Sequence, residues 1–113
     1  MNVEQGHIWS VSLDPRYANE QSGVRPCLVV STDRFNSLPI DHAIIVPLTS
    51  RNRQLPHHLM VLDDGRLDRP SWAMCEAVRT VSTQRFGRLI SSAHPETTRA
   101  VIRQIVMWLA VTA

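Results

Sequence analysis

Residues 20–33 read Glu-Gln-Ser-Gly-Val-Arg-Pro-Cys-Leu-Val-Val-Ser-Thr-Asp, two parts of opposite character joined at Arg25-Pro26. The first four residues are polar and end in Gly23, whose unrestricted backbone suits a loop. Residues 27–30 form a continuous apolar run with β-branched valines, the pattern of a strand buried on both faces. Proline is tolerated as the first residue of a strand and keeps the preceding Arg25 extended. A guanidinium emerging from a polar loop directly in front of a rigid strand is held in one orientation, as a binding site requires. The same stretch also fits an arginine at a strand edge in a surface ion pair.

The 113 residues make one domain, residues 1–113, and 43% hydrophobic content supplies a real core. Disorder and a disulfide scaffold are thereby excluded. The formal charge of +2 does not by itself indicate nucleic acid. All twelve basic residues are arginine, which suits phosphate but is better explained by a GC-rich genome. No apolar run approaches the ~20 residues of a membrane span, and the N-terminus lacks the blocks of a signal peptide, so a cytoplasmic protein without membrane contact is expected. Cys27 and Cys75 fall in apolar runs without a second ligand at metal spacing. They read as buried free thiols of a reducing compartment, and neither a metal nor a cofactor is expected.

Strands are expected over residues 7–13, 27–31, 43–48 and 57–62, with short runs at 71–75, 77–81 and 88–90. Residues 34–36 suit a single helical turn. Asp63-Asp64-Gly65 is a turn signal. Ser82 can cap a brief helix ending at Gly87. Pro95 suits a first helical position, and residues 97–111 form the one long helix, with Val101, Ile105 and Leu109 on the apolar side and Arg99, Arg103 and Gln104 on the wet side. That apolar face is broad for a helix on a small sheet, which leaves part of it for a second subunit. The order predicts a mainly β fold with a C-terminal helix, either a small barrel or a strongly curved antiparallel sheet.

Three polar groups leave the ends of apolar strands: Glu20 with Arg25, Thr49 with Ser50, and Glu76 with Arg79 and Thr80. An arginine beside a threonine hydroxyl suits a phosphoryl group. There is no Gly-rich Lys-Ser/Thr loop and no carboxylate cluster for magnesium. Metal-free phosphoryl transfer needs an internal nucleophile, and RNA carries one in its 2′-hydroxyl.

From Gly6 to the terminal helix the chain resembles the MazF/PemK (Kid) family of toxin endoribonucleases from bacterial toxin–antitoxin modules. The resemblance rests on Gly6-His7-Ile8-Trp9, Leu13-Asp14-Pro15, Glu20-Gln21-Ser22-Gly23-Val24-Arg25-Pro26, Val46-Pro47-Leu48-Thr49-Ser50, Leu67-Asp68-Arg69-Pro70-Ser71 and Glu76-Ala77-Val78-Arg79-Thr80-Val81 with Arg85. It implies an SH3-like barrel or curved sheet of the CcdB/PemK toxin type. It also implies a homodimer, and ribosome-independent, metal-independent cleavage of single-stranded mRNA at short sequences, leaving 2′,3′-cyclic phosphate and 5′-hydroxyl ends. By position, Arg25 would stabilise the phosphorane and take part in proton transfer, and Thr49 would hydrogen-bond the same phosphate. Glu20, Gln21 and Ser50 would line the pocket. Arg51 and Arg53, with Glu76 and Arg79, complete the expected substrate-binding set. Loops 16–24, 51–56 and 63–70 would contact bases and receive the acidic C-terminal segment of a MazE-like cognate antitoxin.

Some residues depart from the family pattern or invite other chemistry. Trp72 is unexpected in its strand and reads as core or dimer interface, with stacking on a base as the alternative. His57 and His58 beside Pro56 read as a solvated strand start, although histidine suits acid–base work. Asp63, Asp64 and Asp68 read as a turn and loop, not a cation site. A relative of similar architecture, the CcdB toxin, poisons DNA gyrase through its terminal helix and cleaves no RNA. A gyrase binder, or a degenerate homologue that only holds antitoxin, is therefore the alternative function.

Overall fold

Strand β2 (Val24–Val29) lies inside the sheet, between β1 (His7–Ser12) and β3 (His42–Thr49). The remaining strands are β4 (His58–Met60), β5 (Trp72–Met74), β6 (Arg79–Ser82) and β7 (Phe86–Ser92). Helix α1 is the single turn Asp33–Asn36, and α2 spans Pro95–Leu109. The computed structural model describes residues 2–13 and 23–111 of the chain. Within them seven strands run in the order β4-β5-β3-β2-β1-β7, with β6 also on β3, and every pairing is antiparallel. The sheet is not closed into a barrel. An isolated bridge between Asp63 and Ala93 links the chain just after β4 to the chain just after β7. No helix among the described residues is long and apolar enough to cross a membrane.

The central strands run continuously apolar over residues 27–29 of β2 and 43–48 of β3 because both faces are covered there. Cys27, Val29, Ile45, Val11 and Trp9 share one face with Val81 and Phe86. Leu28, Val46, Leu48 and Ile8 share the other with Ala73, Val101 and Ile105, the last two from α2. Alternation of side chains along a strand assigns the remaining residues. Arg25 pairs with Val11 and lies two residues before Cys27, so it belongs to the first face, as does Arg79 opposite Ile45.

Two prolines shape the sheet. The Val30 N–H donates to the Ile44 carbonyl at 2.9 Å, so the alternating antiparallel pattern makes even-numbered β2 residues the ones that bond to β3. Pro26 falls on that series without a donor, and the β2–β3 ladder stops one residue later, at Cys27–Pro47. Pro47, by the same alternation, directs its nitrogen to the other side. There β3 changes partner, from β6 at residues 42–45 to β5 at 48–49. A missing N–H costs no ladder bond in that gap.

Several sequence expectations are corrected. Strand β2 starts at Val24, so Pro26 sits inside the strand, where pairing with Ser10 of β1 carries it. Gly87 does not end a helix. Ser82 caps only the 3₁₀ turn Thr83–Arg85, accepting from Gln84 N at 3.2 Å, and β7 begins at Phe86. Glycine is favoured at 87 because a Cβ there would stand 2.5 Å from Ser10 Oγ on β1 and push that hydroxyl aside. The strand expected at 57–62 is confined to His58–Met60, since its partner β5 has only three residues to pair with it. Helix α2 packs on β4 and on the 3₁₀ turn Cys75–Ala77, and it outruns those short elements. Val101 and Ile105 are buried, but Leu109 is 75% exposed, next to exposed Val106, Met107 and Trp108.

Candidate functional site

Where the β2–β3 ladder ends, the two strands leave a hollow of about 340 Å³ lined by Val24, Arg25, Pro26, Leu48, Thr49, Ser50, Asp68, Arg69 and Ser71. Arg25 and Thr49 are half-buried, and Ser50 is exposed at the rim. Continuing the register of Cys27 with Pro47 sets Arg25 across from Thr49 on one sheet face. Thr49 is further fixed by its own turn, since its Oγ1 accepts the Arg51 N–H at 3.1 Å. A threonine hydroxyl has one proton to give, so with Oγ1 already accepting, that proton is available to an oxygen of a ligand. Trp72 pairs directly with Thr49 and is half-buried on the same face.

Asp68 and Arg69 enter the hollow from the 63–70 loop, their side chains 3.7 Å apart and well exposed. An exposed pair of this kind is worth at most ~1 kcal/mol and leaves both groups available. The loop is shaped by hydrogen bonds: the Leu67 N–H donates to Asp63 at 3.0 Å, and the Ser71 hydroxyl donates to the Arg69 carbonyl at 3.1 Å. The buried Ser91 hydroxyl contacts the carboxylates of both Asp63 and Asp64. Burial raises the Asp63 carboxyl, but hydrogen bonds from Ser91 and from the Leu67 and Gly65 N–H groups together outweigh it, and the net shift is downward. The Arg66 guanidinium, then Ser91, hold Asp64 well below the usual carboxylate range. These acids therefore serve the turn. Asp68 and Arg69 belong to the 63–70 loop that the resemblance sets against the substrate, although neither was named individually as a site residue. Their proximity depends on β5 pairing with the end of β3, which no local signal announces.

The expected site residues fall in several places. Arg25, Thr49 and Ser50 come together in the hollow. Arg79 lies on β6, on the same face as Arg25, and the two cations flank Cys27. Burial dominates that thiol and pushes it up to about 12, against the opposing pull of Arg25 and Arg79. Arg51 and Arg53 are exposed on the 51–56 loop and do not line the hollow. Glu20 and Gln21 lie outside the described residues. Glu76 is not part of the hollow: it sits in the 3₁₀ turn, bonded to His58. His58 in turn is no solvated strand start. Its side chain is 1% exposed, because the bond from its own N–H to the Leu55 carbonyl folds the chain inward under α2.

A family model described as PemK-like, MazF-like toxin of type II toxin–antitoxin system matches residues 4–109. Endoribonuclease PemK of Escherichia coli is 33% identical over 101 residues, covering 85% of this chain and 73% of that protein. Endoribonuclease EndoA of Bacillus subtilis is 34% identical over 91 residues, 76% of each. Among solved structures, MazF from Deinococcus radiodurans superposes with a TM-score of 0.86 at 20% identity, covering 98% of this chain and 99% of that one. A mycobacterial endoribonuclease in complex with its cognate antitoxin gives 0.74 at 15% identity, covering 99% and 97%. The structures share the fold. The extent of the family match, with relatives above 30% identity along most of the chain, establishes that this protein belongs to the PemK-like, MazF-like toxin family of type II toxin–antitoxin systems.

Proposed function

We propose that this toxin is an endoribonuclease that cuts single-stranded RNA without a metal ion, using the RNA's own 2′-hydroxyl as nucleophile. The 2′-oxygen attacks the adjacent phosphorus and loses its proton, the bond from phosphorus to the 5′-oxygen breaks, and that oxygen takes up a proton. The products are a 2′,3′-cyclic phosphate and a 5′-hydroxyl, and no external reagent is consumed. Arg25 stabilises the charge on the non-bridging oxygens of the phosphorane and assists proton transfer. The Thr49 hydroxyl donates to the same phosphate, and Ser50 lines its seat. The observation that supports the reading is that Arg25 and Thr49, from neighbouring interior strands, line one hollow. Such donors need no reorganisation as charge develops.

Arg51, Arg53, Arg69 and Arg79 are the cations available to the neighbouring phosphates, and Trp72 is placed to stack on a base next to the cut. The same basic rim suits the acidic C-terminal segment of an antitoxin, which would compete with RNA. A second copy would cover the apolar end of α2, where Val106, Met107, Trp108 and Leu109 are exposed together. The cytoplasm, where mRNA is exposed, is the compartment this activity requires.

The test is incubation of the purified protein with a long single-stranded RNA in EDTA, with mapping of the 5′ ends. Discrete cuts bearing 5′-hydroxyl groups are expected. Arg25→Ala is expected to lower the rate by at least ~10²-fold, the scale for removing one transition-state donor. Undiminished cleavage by a folded Arg25→Ala protein would falsify the catalytic assignment. RNA left whole by the unaltered protein would refute the metal-free nuclease.

A further inference from the structure

We propose that His57, His58 and Glu76 form a binding site for one divalent transition-metal ion of the zinc class, separate from the RNA hollow. The three residues meet where the start of β4 touches the 3₁₀ turn Cys75–Ala77, and one ligand atom from each lies within 4.8 Å of the other two. His58 Nε2 is 3.0 and 2.9 Å from the two Glu76 oxygens, and His57 Nε2 is 3.5 Å from Oε1 of the same carboxylate. For three atoms so spaced, an equidistant point is no more than about 2.4 Å from each. Zinc–nitrogen and zinc–oxygen bonds are ~2.0–2.2 Å, so the ion fits after shifts of a few tenths of an ångström.

The surroundings favour a built site over a chance encounter of side chains. The His57 ring packs edge-on against His58, centroids 5.0 Å apart, and against Trp108 of α2 at 5.5 Å. Both imidazoles are thus oriented by ring contacts. His58 Nδ1 is buried with no hydrogen-bond partner among the described residues, and the ring bonds through Nε2, which faces Glu76. Access is open on the other side, where the side chains of His57 and Glu76 are 29% and 46% exposed. Two imidazoles and one carboxylate leave a fourth position for water, the composition of an open zinc site. The nitrogen majority disfavours magnesium and calcium, which take oxygen ligands. The bound ion would clip β4 to the 3₁₀ turn beneath the exposed end of α2.

This inference does not rest on the nuclease reading, and the experiment separates the two. Untagged protein stripped of metal is titrated with Zn²⁺ by calorimetry and with Co²⁺ by visible absorption, whose intensity reports a four- or five-coordinate ion. One equivalent is expected, undisturbed by excess Mg²⁺. His57→Ala and Glu76→Gln each retain the buried His58, and each is expected to weaken binding at least about tenfold, since losing even an outer-shell partner costs that much. His57→Ala is further expected to cut RNA in EDTA as the unaltered protein does. Absence of Zn²⁺ binding would overturn the site, and so would affinity in both variants equal to that of the unaltered protein, which would locate the bound ion at His7, His42 or His94 instead.

Discussion

Substituting Gly87 by alanine tests the closest approach of β7 to β1. A Cβ at this position would stand 2.5 Å from Ser10 Oγ, 3.5 Å from the Ser10 carbonyl and 3.8 Å from its Cβ. Only the hydroxyl is in the way, and it accepts the Arg88 N–H at 2.8 Å. To admit the methyl, Ser10 must turn its hydroxyl aside and give up that bond, worth ~0.5–1.5 kcal/mol. Residual crowding from one added carbon adds to this, and the lower backbone entropy of alanine returns ~0.5–1 kcal/mol. Gly87→Ala is therefore expected to destabilise by about 1–2 kcal/mol. In a Ser10→Ala background the obstacle is gone and the remaining contacts are ordinary. There Gly87→Ala is expected to be neutral or slightly stabilising. The assay is a double-mutant cycle by equilibrium urea unfolding followed by circular dichroism, with coupling of at least ~1 kcal/mol expected between two residues in contact. Additive effects, with coupling below ~0.5 kcal/mol, would show that the hydroxyl is not what excludes a side chain at 87.

Pro26→Ala supplies the missing donor opposite Leu48, so the β2–β3 ladder is expected to extend by one bond and narrow the hollow. Hydrogen exchange should show a protected amide at 26 and RNA cleavage should fall; a freely exchanging amide with full activity counts against the proline argument. Cys27 is expected to resist iodoacetamide at pH 8 in the folded protein and to react once urea unfolds it. Its folded pKa of about 12 lies above the unfolded value of 9.0, so the unfolded state loses its proton first as pH rises. Below pH 9 the thiol has no effect, and between 9 and 12 stability should fall by up to ~1.4 kcal/mol per pH unit; a flat urea midpoint across that range in which Cys27→Ala behaves identically contradicts its burial. If the second copy proposed above covers the exposed end of α2, Leu109→Glu is expected to lower the mass seen by light scattering to that of a monomer with the fold intact. An unchanged mass would remove that face from the interface.

Most of the fold was legible because apolar runs and breakers are local. The continuous run at 27–30 announced a strand covered on both sides, Ser82 and Pro95 marked helix starts, and Val101 with Ile105 marked the face of α2 that the structure buries. The resemblance brought Arg25, Thr49 and Ser50 together, and they do line one hollow. What sequence could not show is what depends on partners distant along the chain. Gly87 resembles a helix stop until Ser10 is seen beside it. Pro26 resembles a strand start until the register sets its missing N–H toward β3, just past the last pair of that ladder and at the edge of the hollow. Asp68 and Arg69 reach that hollow only because β5 pairs with the last residues of β3. His57 and His58 resemble a wet strand start, and Glu76 a pocket residue, until α2 and the 3₁₀ turn fold over them. Side-chain type and spacing determined which segments become strands or helix, since burial and backbone preference act over a few residues. Register and close packing decided which side chains meet, because those contacts form only when segments tens of residues apart are stacked.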